Sequence, residues 1–267
     1  MFTIIWRTIL DRKVSVIAYS LAGILFMWMF VGLYPSIKEN TAEFDELLKA
    51  YPQELIKAFG IEELSFDTLE RFLAVEQYSI TWPLMAVFMV VSFAGMALAR
   101  EIEKGTAEIL LSRPVSRLTI FFSKYIAGIK AFAIFTIVSI FSVVPLAEMY
   151  NIDYSLENQA KTALLGFLFG LAIFSFSYML SAMFSERSKA YMISGGVLIL
   201  MYVLKIMSSL EDNLENLKYA SFFHYFDANK TLIYGEIDTT SVLVFLGVTV
   251  VCTVIGAIWF NKRDIAI

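Results

Sequence analysis

The sequence predicts an all-α polytopic membrane protein: six transmembrane helices, an N-terminal amphipathic helix, and a helical extracytoplasmic loop between helices one and two. Three observations carry this. Of 267 residues, 58% are hydrophobic and only 17% charged, with a mean hydropathy of +0.70. A soluble domain runs at about 45–50% apolar and roughly 25% charged. Six stretches approach the roughly 20 apolar residues that cross a hydrocarbon core of about 30 Å. Finally, Lys and Arg gather in alternate connections between those stretches. Together these exclude a soluble enzyme, a disordered regulator and a secreted disulfide scaffold.

Met1 to Lys13 reads as an amphipathic segment, with Phe2, Ile5, Trp6 and Ile9 near helical spacing and Arg7, Asp11 and Arg12 polar. Such a segment lies along the headgroup boundary; an unbroken, tilted first span is the alternative. The first span, Val14 to Leu33, is longer than the 7–15-residue apolar stretch of a signal peptide, and no small-x-small cleavage pattern follows it. It is read as a retained helix. The loop from Tyr34 to Ser79 carries ten carboxylates against four bases. Phe44, Leu47, Leu48 and Tyr51 mark one helical face there. Pro52 opens a second short helix containing Leu55, Ile56 and Phe59, and Gly60 suits its C-terminal cap.

Spans two to six are Ile80 to Ala99, Tyr125 to Leu146, Thr162 to Phe184, Tyr191 to Met207 and Ser241 to Phe260. Gly166 and Gly170 share one face of the fourth span, a spacing used for close helix approach; the partner face is open. Lys205 lies two residues before the end of the fifth span and is expected to snorkel outward, the alternative being a residue that lines a pathway. Lys130 snorkels likewise toward the other side. The segment from Ser208 to Thr240 carries Phe222, Phe223, Tyr225, Phe226 and Tyr234, expected as interfacial anchors, with His224 among them.

Charge sets the orientation. One set of connections holds 12 bases and 6 acids, and the opposite set 8 bases and 19 acids. By the positive-inside rule both termini are cytoplasmic, which an even number of spans requires. Cys252 stands alone, so no intrachain disulfide forms, and one His and one Cys supply no structural zinc set. Nothing is basic and clustered enough for nucleic acid.

The most informative stretch joins spans two and three, Arg100 to Arg117. Gly105 permits a turn. Thr106 can cap a short helix whose Ile109, Leu110 and Leu111 would bury against something. Pro114 breaks the segment, and Ser116 can cap the helix of the third span. Composition leaves two readings open, a docking element for a soluble partner and a solvated connector.

This stretch resembles the cytoplasmic loop of ABC-2 type permeases, the membrane subunits of bacterial and archaeal ABC exporters. The residues that carry the likeness are Arg100, Glu101, Glu103, Gly105, Thr106, Glu108, Leu110, Leu111, Arg113, Pro114, Ser116 and Arg117. The N-terminal helix is similar to the family's elbow helix, Pro52 to Gly60 to its outer-loop pattern, and Lys262-Arg263-Asp264 to its ending. The resemblance implies a single transmembrane domain over 1–267, with an elbow at 1–13, an outer loop at 34–79 and a coupling loop at 100–124.

It also implies a separate ATPase, because the chain has no Gly-x-x-x-x-Gly-Lys-Ser/Thr loop. ATP and Mg²⁺ would be handled by that partner and no cofactor is expected on this chain. The expected assembly is two permease copies, identical or close paralogues, with two ATPase copies. Docking falls to Arg100, Glu101, Glu103, Gly105, Thr106, Glu108, Ile109, Leu110, Leu111 and Arg113, with Glu101, Glu103 and Arg113 as polar contacts. Glu186 and Arg187 in the next cytoplasmic turn form a second contact. The expected function is ATP-driven export of an amphipathic or lipophilic substrate across the cell membrane. The alternative is a non-transporting membrane sensor or assembly protein that docks a cytoplasmic partner. A membrane-embedded enzyme is disfavoured: there is no His-Glu-x-x-His and no carboxylate well inside a predicted span.

Overall fold

The computed structural model describes residues 1–40, 66–106 and 115–264. The predicted helices around Phe44 to Tyr51 and Pro52 to Gly60 lie outside the described residues, as do Glu108 to Arg113. Six helices are long and apolar enough to cross a membrane: Lys13–Glu39, Leu69–Ala97, Arg117–Tyr150, Leu156–Met183, Arg187–Leu210 and Thr239–Lys262. They match the six predicted spans in order and number, and no strand occurs among the described residues.

The first helix, α1 (Phe2–Asp11), is separate from the first span, because Arg12 leaves helical geometry at φ −114° and ψ 4°. Phe2, Ile5, Trp6, Ile9 and Leu10 lie along one face of it, as the sequence predicts. Ile5 is buried against the bundle, whereas Phe2, Trp6 and Leu10 are exposed.

Two boundaries depart from the sequence reading. Span two begins at Leu69, eleven residues before Ile80, and its helical run bulges by a π turn at Gln77–Thr81. Thr68 caps it by accepting the amide of Arg71, while Leu69, Phe72, Leu73 and Ala74 are buried. Tyr34 of span one donates to the Asp67 carbonyl at 2.9 Å. Glu70 and Glu76 had made this stretch read as outer loop, but both carboxylates sit on the spanning helix. The same helix ends at Ala97, short of the predicted Ala99. In span three, Ser116 caps the helix as expected, accepting the Thr119 amide at 3.1 Å.

Span four sits at the centre and packs against spans two, three, five and six, while span one packs chiefly on span three. Glycine explains part of this. A Cβ on Gly170 would lie 2.1 Å from the Phe132 ring, and one on Gly166 would lie 2.7 Å from Trp82. The glycine pair therefore receives aromatic rings from spans two and three of the same chain. Trp82 is fully buried, donates its indole N–H to Ser139 at 2.9 Å, and stacks between Phe135 and Phe226. This corrects the anchoring expectation for the 208–240 segment. Phe222 and Phe226 are buried, and Phe226 fills the bundle beside Trp82 and Phe169. Tyr234 remains exposed.

Candidate functional site

At the base-rich end of the bundle, span two stops and the chain turns into a five-residue helix, Ala99–Glu103. A helix break buried in a bundle leaves backbone groups without partners. Here both sides of the break are satisfied by other spans. The amides of Leu98 and Ala99 donate to the Ser181 hydroxyl of span four at 3.3 and 3.1 Å. The Ala97 carbonyl accepts from the Lys124 ammonium of span three at 2.8 Å.

Lys124 also reaches across the break to the Glu101 carboxylate at 2.9 Å, with its own side chain 6% exposed. One buried ammonium therefore ties the end of span two, the following helix and span three together. The Thr106 hydroxyl closes the turn by donating to the Glu101 carbonyl and carboxylate. Gly105 makes that turn possible with φ of 70°, a conformation costly for residues with a Cβ. Burial pushes the Glu101 carboxyl up, but Lys124, Thr106 and Arg100 outweigh it and leave the pKa below its ordinary value.

Glu103 makes the second link. Its carboxylate accepts the backbone amide of Arg187 at 3.0 Å and lies 3.6 Å from the Arg187 guanidinium. The same carboxylate thus serves the first turn of span five, where the helix dipole favours a negative charge. Glu186 pairs with Lys189 at 2.7 Å. Farther round the same end, Arg263 donates to the Ala182 carbonyl at 3.1 Å and to the Ser185 hydroxyl, and Arg117 donates to the Arg263 carbonyl.

The corner thus brings Glu101, Glu103 and Thr106 together with Arg187 and Glu186, which lie far apart in sequence. Both carboxylates expected as partner contacts are engaged within the chain. Gly105 and Lys104 stand exposed, Arg100 is half-buried, and Glu108, Ile109, Leu110, Leu111 and Arg113 lie outside the described residues. Sequence reasoning missed Lys124 and Ser181. Lys124 had counted only as an orienting charge, although a lysine two turns inside a spanning helix is a signal for a buried partner.

The loop after span two is thus clamped to spans three, four and five at the base-rich end. A family model described as "ABC-2 family transporter protein" matches residues 8–265. The chain belongs to the ABC-2 transporter family. It is a multi-pass membrane permease subunit of an ABC transporter, a family that works with an ABC ATPase subunit. Comparison with curated proteins gives no match.

The acid-rich end of the permease holds a cleft of about 550 Å³. Lys205, Lys218, Lys230, Glu215, Asp227, Asp238 and His224 are among its lining residues, and Lys218 pairs with Glu215 at 2.6 Å. Lys205, near the end of span five, lines this cleft. Burial, then Lys218 and Lys205, push the His224 pKa down, so the ring is neutral at physiological pH. A second, apolar groove of about 610 Å³ runs down the flank between spans two and five, past Leu84, Val87, Phe88 and Ile199. The cleft and the groove share Ser79, Pro83 and Phe223.

Proposed function

We propose that the permease is the membrane half of an ATP-driven exporter of the cell membrane, with both termini cytoplasmic. Two copies, identical or close paralogues, assemble with two ATPase copies, and residues 100–113 of each permease dock on the ATPase, with Glu186 and Arg187 beside them. ATP and Mg²⁺ are handled by the ATPase. The observation that carries this reading is the clamp at Lys124. A push on the docking segment reaches span two through Ala97, span three through Lys124 and span five through Glu103 with Arg187. Glu101 and Glu103 act as positioning residues that set the angle of the segment. For coupling, the ATPase must prefer different arrangements of that segment with and without nucleotide.

An amphipathic or lipophilic cargo is supported by the continuity of the apolar flank groove with the polar cleft. A molecule with an apolar body and a polar head matches both surfaces at once.

The test is purification of the tagged permease in mild detergent, with mass spectrometry of what co-elutes, followed by nucleotide hydrolysis of the complex in proteoliposomes. A stoichiometric ATPase that is lost on replacement of residues 101–111 is expected. Lys124→Met should retain the ATPase but lower substrate-stimulated hydrolysis about tenfold or more, since a buried charged hydrogen bond contributes roughly 1.5–3 kcal/mol. A permease that purifies alone, or a Lys124→Met complex with unchanged coupling, overturns the reading.

A further inference from the structure

A cleft of about 350 Å³ opens at the base-rich end between the last turn of α1 and the coupling corner. Four cations line it, Arg12, Arg100, Lys104 and Lys124, against two carboxylates, Asp11 and Glu101. Glu101 is already taken by Lys124 at 2.9 Å. Arg12 and Arg100 both turn onto the sulfur of Met96, at 2.7 and 3.8 Å. Among the described residues no carboxylate forms an ion pair with either guanidinium.

Two arginines converging on a thioether are an electrostatically incomplete arrangement. Like charges held together in a partly buried site repel, and the missing component is an anion. Burial and then Arg100 push the Arg12 pKa down, and the opposing pull of Tyr191, Asp11 and Glu101 does not make this up. The guanidinium fork matches a phosphate oxygen pair in geometry and charge.

The walls add a second requirement. Phe93 lies under Arg12 at 5.9 Å, and Gly128 and Phe174 continue the apolar surface inward. Alongside, α1 exposes Phe2, Trp6 and Leu10 as an amphipathic helix does at a headgroup boundary. A phosphate with an apolar body attached fits these surfaces better than a free ion does.

We propose that this cleft is a binding site for a phosphate group, that of an anionic phospholipid, clamped by Arg12 and Arg100 with Lys104 at the rim. A bound headgroup relieves the repulsion between the arginines and fastens α1 to the coupling corner. The site is defined on the permease alone and does not depend on the ATPase reading.

Native mass spectrometry of the purified full-length permease, titrated with phosphatidylglycerol or with phosphatidylcholine, tests it. One phosphatidylglycerol retained per chain, and no phosphatidylcholine, is the expected result. Arg12→Gln should weaken retention about tenfold, and Arg12→Lys, which keeps charge but loses the fork, by a smaller factor. Lys189→Gln, which removes an exposed charge outside the cleft, should leave retention unchanged. A parallel titration with inorganic phosphate, read by thermal unfolding, separates the sources. Stabilisation by phosphate that Arg12→Gln abolishes, with no lipid retained, overturns the lipid assignment. Retention that is equal for the two lipids, or equal in Arg12→Gln and Lys189→Gln, overturns the site itself. Wild-type-like unfolding of Arg12→Lys guards against loss of fold as the cause.

Discussion

The most apolar 18-residue stretches of spans four and five have nearly the same mean hydropathy, 2.0 and 1.8, yet 67% of the first stretch is buried within the protein and only 17% of the second. What separates them is what their small and hydroxyl residues meet rather than hydrophobicity. Span four carries Gly166 and Gly170 under aromatic rings, and two of its serines serve other elements: Ser181 receives the amides at the break in span two, and Ser175 meets the Tyr125 hydroxyl at 2.7 Å. Span five presents Met192, Ile199, Leu200 and Val203 outward, and a Cβ on Gly195 or Gly196 would meet nothing within 4 Å. In a bilayer, lipid tails are as apolar as a protein core, so small residues and hydrogen-bonding side chains mark the helix that others pack around.

The largest effect that sharpens this contrast is expected at Trp82, the ring that fills the space over Gly166. Trp82→Ala should lower stability by about 3–5 kcal/mol, measured by unfolding in detergent. Trp28→Ala, at a half-exposed ring of span one, should lie close to wild type. Equal losses at the two positions would remove the distinction between protein-facing and lipid-facing aromatics.

A smaller effect is expected when bulk is added. Gly170→Leu drives a side chain into Phe132 and should cost about 1–3 kcal/mol. Gly196→Leu should leave the unfolding of the monomer within about 0.5 kcal/mol of wild type. Its effect on oligomeric state, read by mass photometry, tells whether a second copy covers span five. A stability loss at Gly196 as large as that at Gly170 would break the comparison.

The smallest effect lies at the corner and depends on pH. The Glu101 carboxyl sits below its ordinary pKa in the fold. Its contribution is therefore fully present above about pH 4.3, the unfolded value, and is lost as pH falls through the lower folded value. Glu101→Gln should flatten the stability curve in that window and leave its shape above pH 6 unchanged. A wild-type curve with no inflection there, or one that Glu101→Gln does not alter, would show that Lys124 does not hold the carboxylate.

Much of the architecture was legible because it is written within single turns of helix. Ser116 caps span three from its own side chain, Gly105 turns where a Cβ would strain the backbone, and Arg12 separates α1 from span one. The start of span two was not legible. Glu70 and Glu76 lower the hydropathy of a stretch whose Leu69, Phe72 and Leu73 are nevertheless buried by neighbours. The candidate site was legible as a segment but not as a mechanism. Residues 100–106 stood out by charge and by Gly105, whereas the partners that fix them, Lys124, Ser181 and Arg187, come from three other helices.

The sequence by itself determined the number of spans, their order and the segregation of charge between the two ends. Those follow from apolar length and local charge, which act within a helix and its flanks. Only the tertiary structure decided that span four is central, that Phe226 enters the core, and that one lysine bridges the break in span two. These depend on which helix lies beside which, and hydropathy carries no such information where lipid and protein interior are equally apolar.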